Sequence, residues 1–342
     1  MKILSSGYHN PHYATFTEYA EAAIRRSGRD LITFDDAQFI IPGRFRDMAA
    51  FLQKWDLERM NRKFLSLARK HKPDLCLVMG GYRILPETIK RIKEEGITCA
   101  LWTTDPPFDF NLLMEIGPLY DFIFCAGTEA VELFNKAGIR GAIWVPFACE
   151  SETQKRRQLT EEERRAYGCD VAFVGTVDPD YYPVRVECLE AISDFNIGIW
   201  GPGAEKIPSS SPVKSRVRGQ KTTPEIWTRI YSASKIVLCM HYRNPKRPAL
   251  CYQASPRVFE ALACASFLLT DDQADVNSVF EDGRHLVVFK DPADLRKKVE
   301  YYLARPEERA RIAAAGYEEV MRKHTYANRI ENIFAVIGGK RR

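Results

Sequence analysis

Short apolar runs alternate with stretches of helical spacing along nearly the whole chain, and this alternation restricts the fold more than any single motif. The runs "KILSS", "DLITFD", "DLCLVMGG", "ITCALWTTD", "YDFIFCAG" and "GAIWVPFA" read as strands. Between them, "YATFTEYAEAAIRRSG" and "PETIKRIKEEG" carry the helical period, with Pro86 near a helix start and Gly28 and Gly96 after helix ends. Strands this short and apolar, separated by helices, predict parallel sheets covered on both faces.

The charged stretch "CESETQKRRQLTEEERRAYGC" interrupts the series and reads as a connection between domains. The alternation then restarts with "DVAFVG", "NIGIWG", "KIVLCMH" and "HLVVF", again separated by helical segments. The 342 residues suit two domains. The expected fold is therefore α/β, with two doubly wound Rossmann-like domains at 1–149 and 150–324 facing across a cleft, and a helix at about 325–339 packing back on the first domain. Doubly wound sheets bind ligands outside the carboxyl ends of their strands, which directs attention to the residues just after each one.

Composition removes several classes. With 45% hydrophobic and 28% charged residues the chain is neither disordered nor a membrane protein. No window approaches the roughly 18 apolar residues of a membrane span, and "MKILSSGYHNPHY" lacks a signal-peptide core, so a cytoplasmic location is expected. Nine cysteines with no C-x-x-C pair read as reduced, mostly buried thiols. A net charge of +5 permits a nucleic-acid partner without indicating one.

The segment "YQASPRVFEALACASFLLTDD" carries the most chemistry. Ser255 suits an N-cap and Pro256 the first helical position, leaving backbone N–H groups and the positive pole of a helix toward an anion. Arg257 adds a guanidinium for phosphate, and Glu260, one turn further in, can accept from both hydroxyls of a vicinal diol such as a ribose. The competing reading is a surface ion pair between Glu260 and Arg257. Gly175 and Gly201, after the first two strands of the second half, allow close backbone approach, although the "WGPG" around Gly201 also fits a simple turn. His241 closes a strand as either a functional or a core histidine. In the first half, His9 after the first strand and Asp105 in "LWTTDPP" are the candidate catalytic groups. Asp105 can accept or orient an acceptor proton, with Pro106 and Pro107 fixing its loop, or it can be a turn residue. The basic loops around Lys214, Arg216, Arg218, Arg243 and Arg247 either steer anions or simply solubilise. H-x-x-H at His9 and His12 lacks an acidic partner and is not read as a metal site.

"DVAFVGTVDPDYYPVRVECLEAI", "WGPG", "IYSASKIVLCMH" and "SPRVFEALACASFLLTDD", followed by the tail to "YANRIENI", resemble in order the C-terminal half of the CgeB-like (spore-maturation protein) family of group-1 glycosyltransferases, which has the GT-B fold. "PDLCLVMGGYRILPETIKRIKEEGITCALWTTDPP" extends the resemblance more loosely into the first half. It implies an acceptor-binding first domain and a second domain that binds a nucleotide-diphosphate sugar, with retention of configuration and no metal or other cofactor. In that family's E-x7-E signature Glu260 matches the second glutamate, which binds the donor ribose. Tyr252 stands where the first would meet the sugar. Arg185 occupies the place of a residue that neutralises the diphosphate. The acceptor (glycan, protein, small molecule or DNA) and the oligomeric state stay open, as do a sugar-nucleotide epimerase and a non-catalytic nucleotide-binding module.

Overall fold

The structure, a computed structural model, describes residues 1–46, 48–105 and 110–339. It divides into two compact units, Met1–Pro146 with the C-terminal segment from Ala327 onward, and Phe147–Tyr326.

The first unit is built on a six-stranded parallel sheet: β1 (Lys2–Gly7), β2 (Asp30–Asp35), β3 (Leu75–Met79), β4 (Thr98–Thr103), β5 (Phe122–Cys125) and β6 (Ala142–Trp144), ordered β2-β1-β3-β4-β5-β6. β3 is buried along its whole length, as expected of a strand with helices on both sides. The helices Phe16–Arg26, Ala50–His71 and Pro86–Glu94 follow the first three strands. The 22-residue Ala50–His71 helix buries Met60, Phe64 and Ala68, the i, i+4, i+8 stripe that its sequence predicts. Its C-cap, Lys72, adopts a left-handed conformation (φ 44°) and returns its N–H to the Ala68 carbonyl.

The second unit has β7 (Val171–Val174), β8 (Ile197–Trp200), β9 (Val217–Gly219), β10 (Ile236–Cys239), β11 (Leu268–Asp271) and β12 (Val287–Phe289), again all parallel and ordered β12-β11-β10-β7-β8-β9. Strand order reverses between β1 and β3 in the first sheet and between β7 and β10 in the second. These are the points where connections leave in opposite directions and a crevice opens at the carboxyl ends. All nine cysteines are free, and eight of them are buried.

The charged stretch read as a connection lies inside the second unit. Glu150 and Gln154 are buried, the Arg157 amide donates to Ser232 Oγ (2.9 Å), and its Nε donates to Thr228 Oγ1 (3.2 Å). The stretch then forms a helix, Glu161–Tyr167, whose N-terminus carries a capping box between Thr160 and Glu163. High charge marked one wet face here, and the segment packs through its few uncharged or paired side chains.

Candidate functional site

In the second unit the candidate residues gather around the carboxyl ends of β7 and β10. Arg185 is the third residue of the Pro183–Glu190 helix, and it is buried rather than solvated. Its Nη1 donates to the Thr176 carbonyl (3.1 Å), its guanidinium lies 3.7 Å from the centroid of Tyr182, and its buried Nε has no hydrogen-bond partner among the described residues. Burial, and then the charge of Arg257, lowers its pKa to about 10. A buried cation that feels a second guanidinium, and keeps one donor unused, is an arrangement that an anion would stabilise.

Ser255 caps the Pro256–Ala263 helix, with Oγ accepting from the Arg257 amide at 3.4 Å. The free N–H groups expected there are mostly taken. The Ser255 amide donates to His241 Nε2 (2.9 Å), Pro256 has none, and the Val258 amide donates to the Ser255 carbonyl (3.0 Å). Positive charge at this end therefore comes chiefly from the two arginines. His241 is equally committed: Asp271 Oδ1 lies 2.7 Å from its Nδ1 and 3.0 Å from its backbone N. With Nε2 accepting, Nδ1 carries the proton. The ring holds the helix start in place and has no nitrogen left for a ligand.

Glu260 is half-buried, and the surface pair with Arg257 does not form among the described residues. Its Oε1 accepts from Gln154 Nε2 at 3.5 Å. Burial pushes the Glu260 carboxyl up to about 7, against the pull of the Arg257 charge. Gln154 was invisible to sequence reasoning because it sits in the stretch that looked like a solvated linker. Tyr252 lines a separate hollow of about 660 Å³ with Asp272 and Asn277, beside Arg243.

The close approach allowed by Gly201 is to protein. A β-carbon there would lie 2.0 Å from the Gly175 carbonyl oxygen, and φ is 149°. A β-carbon on Gly175 would stand 3.6 Å from Arg257 Cζ. The basic loops are tied down as well: Lys214 Nζ donates to the Ala204 carbonyl, Arg216 Nε to Ser193 and Arg218 Nη1 to Gly168. Arg243 donates to the Asp272 carbonyl.

In the first unit a hollow of about 350 Å³ opens at the switch point between β1 and β3. Tyr8, Phe16, Asp36, Gly80, Gly81, Tyr82, Arg83 and Asp105 are among its lining residues. Burial raises the Asp105 pKa above the ordinary carboxylate value. Pro106 and Pro107, read as fixing its loop, lie outside the described residues. Asp36 and Arg83, which pair at 2.9 Å across this hollow, carried no local sequence signal because 47 residues separate them. His9 is not among the residues lining the hollow. Its Nε2 donates to Glu21 (3.0 Å) and its Nδ1 to the Gly7 carbonyl (3.1 Å), and the bond to Glu21 raises its pKa to about 9. It is an imidazolium clamped to its own loop, poorly suited to accept a proton. Among the described residues no group of three or more His, Cys, Asp or Glu is placed to hold a metal ion, and no helix is long and apolar enough to cross a membrane.

Residues 185–335 match the glycosyl transferase-like family. The spore protein CgeB of Bacillus subtilis is 25% identical over 267 residues, covering 75% of this chain and 80% of that one. The chain is thus similar to CgeB along most of its length and to the glycosyl transferase-like family over its second half. The chain has the GT-B fold. It superposes on sucrose-phosphate synthase from Thermosynechococcus elongatus with a TM-score of 0.72 at 11% identity, covering 99% of this chain and 98% of that one. It superposes on Anabaena HepE, solved with UDP and glucose, with a TM-score of 0.69 at 12% identity, covering 99% and 100%.

Proposed function

We propose that this glycosyltransferase takes its sugar from a nucleoside-diphosphate sugar held by the second unit and passes it to an acceptor hydroxyl held by the first. The observation that carries the reading is Arg185, a buried cation beside Arg257 with an unused N–H. Those two guanidiniums neutralise the diphosphate as it leaves, so the charge that builds up in the transition state meets fixed positive charge and no divalent cation is needed. Glu260, one turn into the helix that Ser255 starts, accepts from the ribose hydroxyls. Gly175 keeps the space beside Arg257 open, and His241 fixes the helix start. Tyr252 bounds the sugar end of the donor site, and its lack of a carboxylate leaves recognition of the sugar to neighbouring groups. Asp105 orients the acceptor hydroxyl. Configuration is retained, in line with the E-x7-E position of Glu260. The UDP seen with HepE supports uridine as the first base to test.

A thermal-shift series with UDP, GDP, ADP, TDP and CMP, in the presence of a chelator, tests the donor site. One diphosphate at 100 times its dissociation constant raises stability by about 2.7 kcal/mol. Glu260→Ala reduces that response. If no nucleotide stabilises the protein the donor reading is wrong, and an equal response in Glu260→Ala removes the ribose role.

A further inference from the structure

The hollow of the first unit carries an unbalanced charge. Among the described residues its charged lining consists of Asp36, Arg83 and Asp105. Asp36 is buried and its Oδ1 already takes the Arg83 Nη1 at 2.9 Å, so the one cation is neutralised from within. Asp105 lines the hollow, stays open to solvent, and draws on no counter-ion among the described residues. A phosphate or carboxylate entering this space would only accept hydrogen bonds, would meet Asp105 as a like charge, and would compete with Asp36 for Arg83. A neutral hydroxyl group both donates and accepts. It can satisfy Asp105, the second oxygen of Asp36 and the remaining N–H groups of Arg83 together.

The rest of the lining suits the same kind of molecule. Tyr8 and Tyr82 stand 44% and 37% exposed, offering flat apolar faces with a polar edge that match the C–H face of a sugar ring. Gly80 (φ 86°) leaves open space where a side chain would stand. At about 350 Å³ the hollow falls at the small end of ligand sites, enough for about one or two sugar rings.

Resting on the proposed acceptor role of this unit, we infer that the acceptor is an uncharged polyhydroxylated ring, a neutral sugar or the neutral end of a glycan, held by Asp36, Arg83 and the Tyr82 ring. Of the acceptor classes open from sequence, DNA presents the wrong charge, as would a phosphorylated small molecule.

Saturation-transfer NMR on the full chain, with maltose and glucose 6-phosphate as probes, tests this. The wild type binds maltose at least about ten-fold more tightly than the phosphate, the size of effect expected of one nearby like charge. Tyr82→Ala and Arg83→Gln each weaken maltose by about five-fold or more while leaving the thermal shift with UDP unchanged, which shows that both variants fold. Glucose 6-phosphate binding as tightly as maltose, and lost in Arg83→Gln, overturns the charge class and leaves the acceptor seat standing. If neither probe binds, or if both variants bind maltose like the wild type, the hollow is not the acceptor seat and the proposed role of the first unit falls with the inference.

Discussion

His241 and Asp271 form a buried pair, 2.7 Å apart, that reaches the N-cap of the Pro256–Ala263 helix through the Ser255 amide. Burial works to raise the Asp271 pKa, and the His241 ring and amide outweigh it and hold the carboxyl below its ordinary value. His241→Ala would leave the Ser255 N–H without its acceptor and the buried Asp271 carboxylate with only the amide of residue 241, at a cost of about 2–3 kcal/mol in urea unfolding. Because the helix start moves with it, nucleotide affinity falls too. Asp271 contributes stability above its unfolded pKa of 3.8 that is lost as pH drops through the depressed folded value, so Asp271→Asn is less stable at neutral pH and loses less on acidification below 3.8.

His9 gives a dependence at the other end of the scale. Its folded pKa of about 9, raised first by the hydrogen bond to Glu21, exceeds the ordinary 6.5. The stabilisation is therefore complete below about pH 6.5 and disappears as pH rises toward 9. Urea midpoints measured from pH 6 to about pH 9.5 decline in the wild type, and His9→Gln flattens that decline. A parallel decline in the variant would show that the Glu21 contact contributes nothing.

Arg185 separates stability from binding. Replacing a buried cation that has no carboxylate partner among the described residues by an apolar chain of similar length is neutral or favourable for the fold. Arg185→Met is therefore expected to melt at or above the wild-type temperature without ligand. Its UDP affinity is expected to fall by roughly ten- to a hundred-fold, the worth of a charge-assisted contact. Calorimetric titration with UDP, set beside ligand-free melting, reads both. A variant that loses stability and keeps affinity would assign Arg185 to the fold alone.

Gly201 and Gly175 face each other but tolerate different changes. Gly201→Ala would drive a methyl group to 2.0 Å from the Gly175 carbonyl oxygen at a φ that L-residues rarely adopt, and loses about 2–4 kcal/mol. Gly175→Ala meets the Phe173 ring at 3.0 Å and Arg257 Cζ at 3.6 Å, so it costs less in unfolding and acts mainly on nucleotide affinity. Chemical denaturation and UDP titration of the two variants distinguish the roles.

The repeating pattern of apolar strand and amphipathic helix determined, by itself, two parallel α/β units, because only covered parallel sheets bury such strands on both faces. The same local rules marked Ser255 as an N-cap and set Arg257 and Glu260 at one-turn spacing on a helix. Tertiary structure decided which side chains meet. It committed His241 to Asp271, 30 residues away, gave Glu260 a contact with Gln154 across 106 residues, and put Asp36 against Arg83. It also turned Arg185 inward and clamped His9 away from the first-unit hollow. Hydrogen-bond partners and burial depend on strand order, and strand order leaves no trace in the spacing of neighbouring residues.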